Sequence, residues 1–442
     1  VFQRSGRMIP IRSPEFTYKI LIINVHSDDN AGDAALLRMT VEILRDVFPQ
    51  SFITIAADDP DSVSGGDCKV GSFIYWMHRV SSNKKMRWQF LTMIKMLLAS
   101  ICALLTYRLW GRPCLFGLQE AQKDTIKAYF DADFVVSKPG NFLYTSGNLG
   151  LTLMLSVYTM GYAILAGKPL YLFPQSIGPL QRKRDQKLVR WVLNRARIIM
   201  IRELISLEEI RKAGVKNSRC YLVPDLTFAF QGAPREEAIG FLRSLGIDIE
   251  IDRPLLGVTA INWNPRTANT HLQMRYEESL KAAIKYHLEK FGGKVVIFSH
   301  VCGKALVNDD RIPSRRIAER LGDNQRVILV DKLLPPELLK SMYGMMDIFI
   351  GTRMHSNIFA LSEGVPVIAI AYLHKTWGVM RMMGLEEWVI DIEEINAPLL
   401  IAKLNKLWCE KEKIKQLIRS KVRRFAEETK MAGFYISSDF CS

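Results

Sequence analysis

No Cys-x-x-Cys pair occurs in the 442-residue sequence, and its seven cysteines (Cys68, Cys102, Cys114, Cys220, Cys302, Cys409 and Cys441) stand singly, without zinc-type spacing to the seven histidines. A disulfide scaffold and a structural zinc module are thereby excluded, and reduced, mostly buried thiols of a cytoplasmic protein are expected. RNP, zinc-finger and basic-zipper patterns are missing too, so no nucleic-acid partner is expected. Val1–Lys19 carries Arg4, Arg7 and Arg12 but no apolar core followed by small residues, and does not read as a secretory signal. A chain starting at Val is nevertheless compatible with removal of a leader. Acidic residues are the scarce charge: 45 Asp+Glu against 60 Lys+Arg give a formal +15, in a chain that is 48% hydrophobic and 24% charged. Such a composition excludes disorder, collagen and coiled coil. The length suits two or three domains, and two larger α/β domains account for it equally well.

The excess positive charge is unevenly placed. Lys403 to Lys430 holds ten Lys/Arg and four Glu, and Arg182 to Arg197 holds seven Lys/Arg and one Asp. Either patch suits anionic lipid or phosphorylated substrates, and each alone also reads as a solvated helix face. Long uncharged runs are few. Leu149 to Gly167 is long enough to span a bilayer, but its Thr, Ser, Tyr and Gly residues, and its direct passage into the strand-like Pro169–Phe173, favour a core helix feeding a parallel strand. Met96 to Tyr107 is too short to span. Lys84, Lys85, Arg87, Trp88 and Lys95 precede it, which fits an in-plane interfacial helix about as well as a buried one. Peripheral contact with an anionic membrane, at the inner face of the cytoplasmic membrane, is therefore an expectation.

Apolar, β-rich runs recur at Lys19–Val25, Phe52–Ala56, Phe134–Ser137, Leu170–Phe173, Ile198–Ile201, Leu255–Ala260, Val295–Ser299, Val327–Val330, Ile348–Ile350 and Val367–Ala371. Helical periodicity fills many gaps, as at Ala34–Phe48, Gln186–Arg195, Tyr276–Phe291 and Pro336–Tyr343. Short continuous apolar strands alternating with helices imply parallel sheets covered on both faces. The stretch Gly232–Pro254 interrupts this rhythm. The expected fold is α/β, with two Rossmann-like domains facing each other across a cleft: residues 1–238, with a basic apolar insertion at about 58–127, and residues 239–395. A basic amphipathic helix from Ala397 to about Ala432, within a tail of residues 396–442, is expected to pack back on the first domain.

Ligands of open α/β sheets bind at the carboxyl ends of strands, so the loops there carry the candidates. After the first strand, Asn30, Gly32 and Asp33 form a turn into a helix. It reads as an N-cap, or as a ligand loop whose carboxylate accepts a proton or a hydroxyl hydrogen bond. Phe173–Pro179 offers Gln175 and Ser176 as neutral groups. Arg202 and Glu203 precede a helix at Ser206, and pair with each other or hold an anion. Arg353 and His355 stand where a buried strand meets a helix, with Ser356 beside them and Lys375 on the next loop. Together they supply a proton donor near neutrality and fixed cations for phosphate or carboxylate.

Six motifs occur in an order that resembles the polysaccharide pyruvyl transferases: Asn30-x-Gly32-Asp33, Gln175-Ser176-Ile177-Gly178-Pro179, Arg202-Glu203-x-x-Ser206, Pro224-Asp225-Leu-Thr-Phe228, Gly351-Thr-Arg353-Met-His355-Ser356 and Ala369-Ile-Ala-Tyr372-x-x-Lys375. Cys302-Gly and Asp309-Asp310-Arg311 are most similar to the colanic acid and exopolysaccharide branch. The resemblance implies a fold like that of GT-B glycosyltransferases and transfer of pyruvate from phosphoenolpyruvate, as donor substrate, to a sugar or lipid-linked oligosaccharide as a ketal. It implies no metal and no cofactor. Arg353, Lys375 and Arg202 would hold the donor, His355 would be the general acid, and Asp33 would orient or deprotonate the acceptor. Asn30, Gly32, Gln175, Ser176 and Ser356 would complete the binding set. Lys138-Pro139-Gly140-Asn141 departs from the family's Gly-rich turn on the acceptor side. Two other readings stand beside this one: a nucleotide-sugar glycosyltransferase of the same architecture, using Glu363 to hold a ribose, and a non-enzymatic module binding anionic lipid or polymer through the basic helices.

Overall fold

The computed structural model describes residues 18–79, 86–145, 147, 150–263, 270–303, 309–322 and 324–440. Arg4, Arg7, Arg12, Lys84 and Lys85 lie outside them. Eight strands form the first sheet: β1 (Lys19–Val25), β2 (Phe52–Ala57), β3 (Cys68–Gly71), β4 (Phe134–Ser137), β5 (Gly140–Leu143), β6 (Leu170–Ile177), β7 (Ile198–Ile201) and β8 (Cys220–Leu222). Their order is β3-β2-β1-β4-β6-β7-β8, with β5 paired to β6. Six more form the second: β9 (Leu255–Thr259), β10 (Lys294–Phe298), β11 (Val327–Val330), β12 (Ile348–Gly351), β13 (Val367–Ala371) and β14 (Val389–Asp391), in the order β11-β10-β9-β12-β13-β14. Every described strand pairing is parallel. The central strands β4, β6, β9 and β12 are buried along their whole length, because helices cover both faces.

One loop expectation fails. Phe173–Ile177 is not a loop after β6 but its continuation, because β5 supplies a further ladder partner, with Gly140 opposite Gln175 and Leu143 opposite Ile177. Pro174, which cannot donate to a ladder, is tolerated at the register shift between Leu172 and Gln175 against β7. The apolar run Leu149–Gly167 contains the core helix Leu151–Leu165, and no described helix is long and apolar enough to cross a membrane.

The chain passes between the sheets at Gly232–Pro234. The helix Arg235–Ser244 begins there, so residue 238 lies inside a helix rather than at a linker. Ala233 N donates to Glu337 O (3.0 Å) and Ser341 Oγ to Ala233 O (2.7 Å), which docks this passage on the helix Pro336–Gly344. The C-terminal helix also differs from expectation. It runs Ala397–Thr429, capped by Asn396, whose side chain accepts from Leu399 N, and a second helix, Met431–Phe440, turns back from it. Gly433 lets this second helix approach the helix Ala31–Val47 closely, since a Cβ there would stand 2.9 Å from Val47 and 3.0 Å from Ile43. Tyr435 stacks on Tyr221 at 3.9 Å, and buried Asp439 accepts from Tyr171 and pairs with Arg197 and Arg219. The chain end thus binds the first domain, while Leu400, Leu404 and Leu407 are buried in the core shared with the second.

Candidate active site

The two domains touch at the carboxyl ends of their strands. Asn30 bridges to Val301, Ala31 N donates to His300 O (3.3 Å) and Cys302 N to Asp29 O (2.8 Å), which sets the start of the helix Ala31–Val47 against the loop after β10. A cavity of about 100 Å³ lies at this junction. From the first domain it is bordered by His26, Asn30, Asp33, Asn141 and Arg202, and from the second by His300, Arg353, His355, Tyr372 and Lys375. A larger pocket of about 360 Å³ continues outward, sharing Asn30, Asp33, Arg353 and Lys375 and adding Tyr144 and Leu373.

Asn30 caps the helix by accepting from Gly32 N (3.0 Å) and donates to Asp33 Oδ2 (2.7 Å), so a single residue serves as cap and as site former. Asp33 Oδ1 meets Lys138 Nζ at 2.8 Å. Lys138, 1% exposed, follows β4, and β4 lies beside β1, which brings it under the Asp33 loop. Burial alone would raise the Asp33 carboxyl. The charges of Lys138, His26 and His355 outweigh it and hold the group well below the ordinary carboxylate range.

Arg202 and Glu203 are buried and not paired with each other. Arg202 donates through Nη1 to Asp225 (2.7 Å) and through Nε to Ser176 (2.7 Å). Glu203 instead caps the helix Leu204–Lys212, accepting from Ser206 N. Arg353 forms a fork with Asp310, Nη2 to Oδ1 at 2.6 Å and Nε to Oδ2 at 3.1 Å, leaving Nη1 directed to Tyr372 OH at 3.5 Å. Lys375 is half-buried and, among the described residues, has no carboxylate at ion-pair distance. Burial, with Arg202 and Arg353 adding to it, lowers its pKa against the pull of Tyr372 and Asp33.

His355 stands in the first turn of the helix Met354–Ser362, and its ring leans on Gly32: a Cβ there would lie 2.1 Å from His355 Nδ1. His355 Nε2 stands 3.6 Å from Asp225 Oδ2, beyond hydrogen-bond reach but close enough to attract an imidazolium. Burial is the main cause lowering its pKa below 6.5; Arg202 and Lys375 add to this and Asp225 opposes it. A second imidazole on the opposite wall has the reverse bias. His26 Nδ1 lies 2.7 Å from Asp58 Oδ2, and Asp58 Oδ1 accepts from Ser72 Oγ (2.6 Å). Burial lowers His26, but the hydrogen bond and charge of Asp58 outweigh it, so the net shift is upward.

Of the residues expected to bind or react, Asn30, Asp33, Arg202, Arg353, His355 and Lys375 meet at the cavity. Gln175 and Ser176 sit behind it: Gln175 Nε2 donates to Lys138 O (2.6 Å), and Ser176 accepts from Arg202. Ser356 faces the interior, against Thr259 Oγ1 (2.9 Å) and Arg353 O (2.7 Å). Glu363 lies outside the cavity, 3.7 Å from Lys340 Nζ. His26, Lys138, His300 and Asn141 were not among the expected site residues. Lys138 carried a signal, as a charge directly after a wholly buried strand. His26 carried none, because its Asp58 partner comes from the neighbouring β2 loop. No group of three or more His, Cys, Asp or Glu suited to a metal ion occurs among the described residues.

The amylovoran biosynthesis protein AmsJ of Erwinia amylovora is 29% identical over 295 residues, which is 63% of this chain and 66% of that protein, just under two thirds of its length. The fold is that of Anabaena HepE in complex with UDP-glucose (12% identity, 95% and 99% of the two chains, TM-score 0.54) and of the UDP-GlcNAc 2-epimerase of Neisseria meningitidis (10% identity, 95% and 99%, TM-score 0.53). The two facing Rossmann-like domains expected from the strand rhythm, in a GT-B-like arrangement, are thus present. Residues 30–374, from the Asn30 cap to the edge of the Lys375 loop, match the model of one family. The chain belongs to the polysaccharide pyruvyl transferase family.

Proposed function

We propose that the chain transfers the pyruvyl group of phosphoenolpyruvate to two hydroxyls of one sugar in a polysaccharide or its lipid-linked precursor, forming a ketal and releasing phosphate. One observation carries this reading: imidazoles and several cations, one of them with no carboxylate of the described residues at ion-pair distance, surround a small cavity that opens into a larger one. A compact enol bearing phosphate and carboxylate suits the inner space, and a sugar suits the outer. The family match and the relative named for amylovoran biosynthesis support a saccharide acceptor.

In this reading Lys375 and the free edges of Arg353 and Arg202 hold the donor's two anionic groups. Their charge is then balanced, which lets His355 bind a proton that the free site disfavours. His355 delivers that proton to the methylene carbon, and C2 becomes electrophilic. A sugar hydroxyl adds to C2 and its proton passes to a base. A second hydroxyl replaces phosphate at C2, and its proton leaves with the phosphate. Asp33, held ionised by Lys138, is a weak base and orients the acceptor. His26, raised by Asp58, is the better proton acceptor.

Incubation with phosphoenolpyruvate and candidate acceptors, followed by mass spectrometry, tests this. A pyruvyl increment accompanied by phosphate release is expected; transfer of a sugar from a nucleotide donor would replace the reading with the glycosyltransferase one. That alternative lacks its supporting residue, since Glu363 lies outside the cavity.

A further inference from the structure

Over residues 94–110 the helix Met86–Trp110 carries apolar side chains on both its inward and its outward side, and the outward ones are exposed. Inward, Met96 and Ala103 are buried, Ser100 Oγ lies 2.5 Å from Tyr158 OH, and Tyr107 stacks on Phe130 at 4.1 Å. Outward, Leu98 is 61%, Leu105 56% and Leu109 71% exposed, and Trp110 (72%) and Phe116 (94%) continue the surface. At about 3.6 residues per turn, Leu98, Leu105 and Leu109 form a crest, with exposed Lys95 on one flank and exposed Arg108 on the other. From Cys68 to Gln119 the sequence contains no Asp or Glu.

We propose that this face docks on an anionic lipid surface, the helix lying in the plane of the headgroups. An exposed apolar crest in water marks an interaction site. A second copy presenting the same face would set the basic set Lys95, Arg108 and Arg112 against the same basic set, with no acidic residue of the segment to offset them. A bilayer with anionic headgroups satisfies both features. The leucines enter the acyl boundary, Trp110 sits at the interface, and the basic side chains extend to the phosphates. A single helix lying in the plane of the headgroups gives a peripheral, reversible attachment.

Sedimentation of the full chain with phosphatidylcholine vesicles, with and without about one third phosphatidylglycerol, tests the proposal. Binding to the anionic vesicles is expected, falling as salt rises. Leu98→Asp combined with Leu105→Asp should weaken it at least about tenfold while leaving the melting temperature unchanged, since both side chains face water. If that variant does not fold, Lys95→Glu with Arg108→Glu decides, with the same expected loss. Absence of wild-type binding to anionic vesicles, or undiminished binding by a folded variant, overturns the proposal. So does a wild-type dimer that dissociates on the leucine substitutions, which would assign the face to a second copy.

Discussion

Lys375 is the one cation among those proposed to hold the donor whose charge no carboxylate of the described residues balances: Arg202 has Asp225 and Arg353 has Asp310. Removing a partnered charge leaves an orphaned ion behind and destabilises the fold, whereas removing Lys375 relieves a desolvated cation. Lys375→Met should therefore leave the melting temperature unchanged or raise it, while raising KM for phosphoenolpyruvate at least about tenfold. Equal KM values would remove Lys375 from the donor site. His355→Ala should lower turnover at least about a hundredfold, the scale of a general acid, with donor binding still measurable by calorimetry. Arg353→Lys should also lose most activity, because an ammonium cannot make the fork to Asp310 and still present an edge to the cavity. Arg353, His355, Lys375, Asn30 and Asp33 were legible in the sequence, since charged and polar residues that end buried apolar strands point to a sheet's ligand edge. The pairings of Lys138 and His26 were not, because their partners are set by which strands lie side by side, and that order appears only in the fold.

Among the elements, the first turn of the helix Ala31–Val47 does most to join the halves of the site. Replacing a helical glycine by alanine ordinarily stabilises by about 0.5–1 kcal/mol. At Gly32 a new Cβ would meet the His355 ring at 2.1 Å, so the helix gains propensity only by displacing the imidazole or opening the cleft. Gly32→Ala should cut kcat/KM at least about tenfold with little loss of helix content by circular dichroism. Unchanged kcat/KM would mean that the ring position is immaterial. Strands were read well from their apolar runs, and helices from their periodicity. The four missed strands, β3, β5, β8 and β14, are only three or four residues long. β5 follows β4 after two residues, so the pair read as strand and turn. The C-terminal break near Lys430 was illegible because the short second helix packs, through Gly433, on a helix almost four hundred residues earlier, and no local signal records that contact.

At the scale of the molecule, the cleft is a place where charge is held ready and one proton is withheld. In the free protein burial, Arg202 and Lys375 keep the His355 pKa below 6.5, so the ring is neutral at pH 7–8. Bound phosphoenolpyruvate, carrying phosphate and carboxylate, offsets those cations and raises it. Since the complex holds more protons than the free protein, affinity must rise as pH falls toward the bound-state pKa. The most direct test is calorimetric titration with phosphoenolpyruvate at about pH 8 and 7, in two buffers of different ionisation enthalpy. Tighter binding at the lower pH, with proton uptake that disappears in His355→Ala and no heat from UDP, is the predicted result. Absence of phosphoenolpyruvate binding, or binding with the same proton uptake in His355→Ala, would contradict the account.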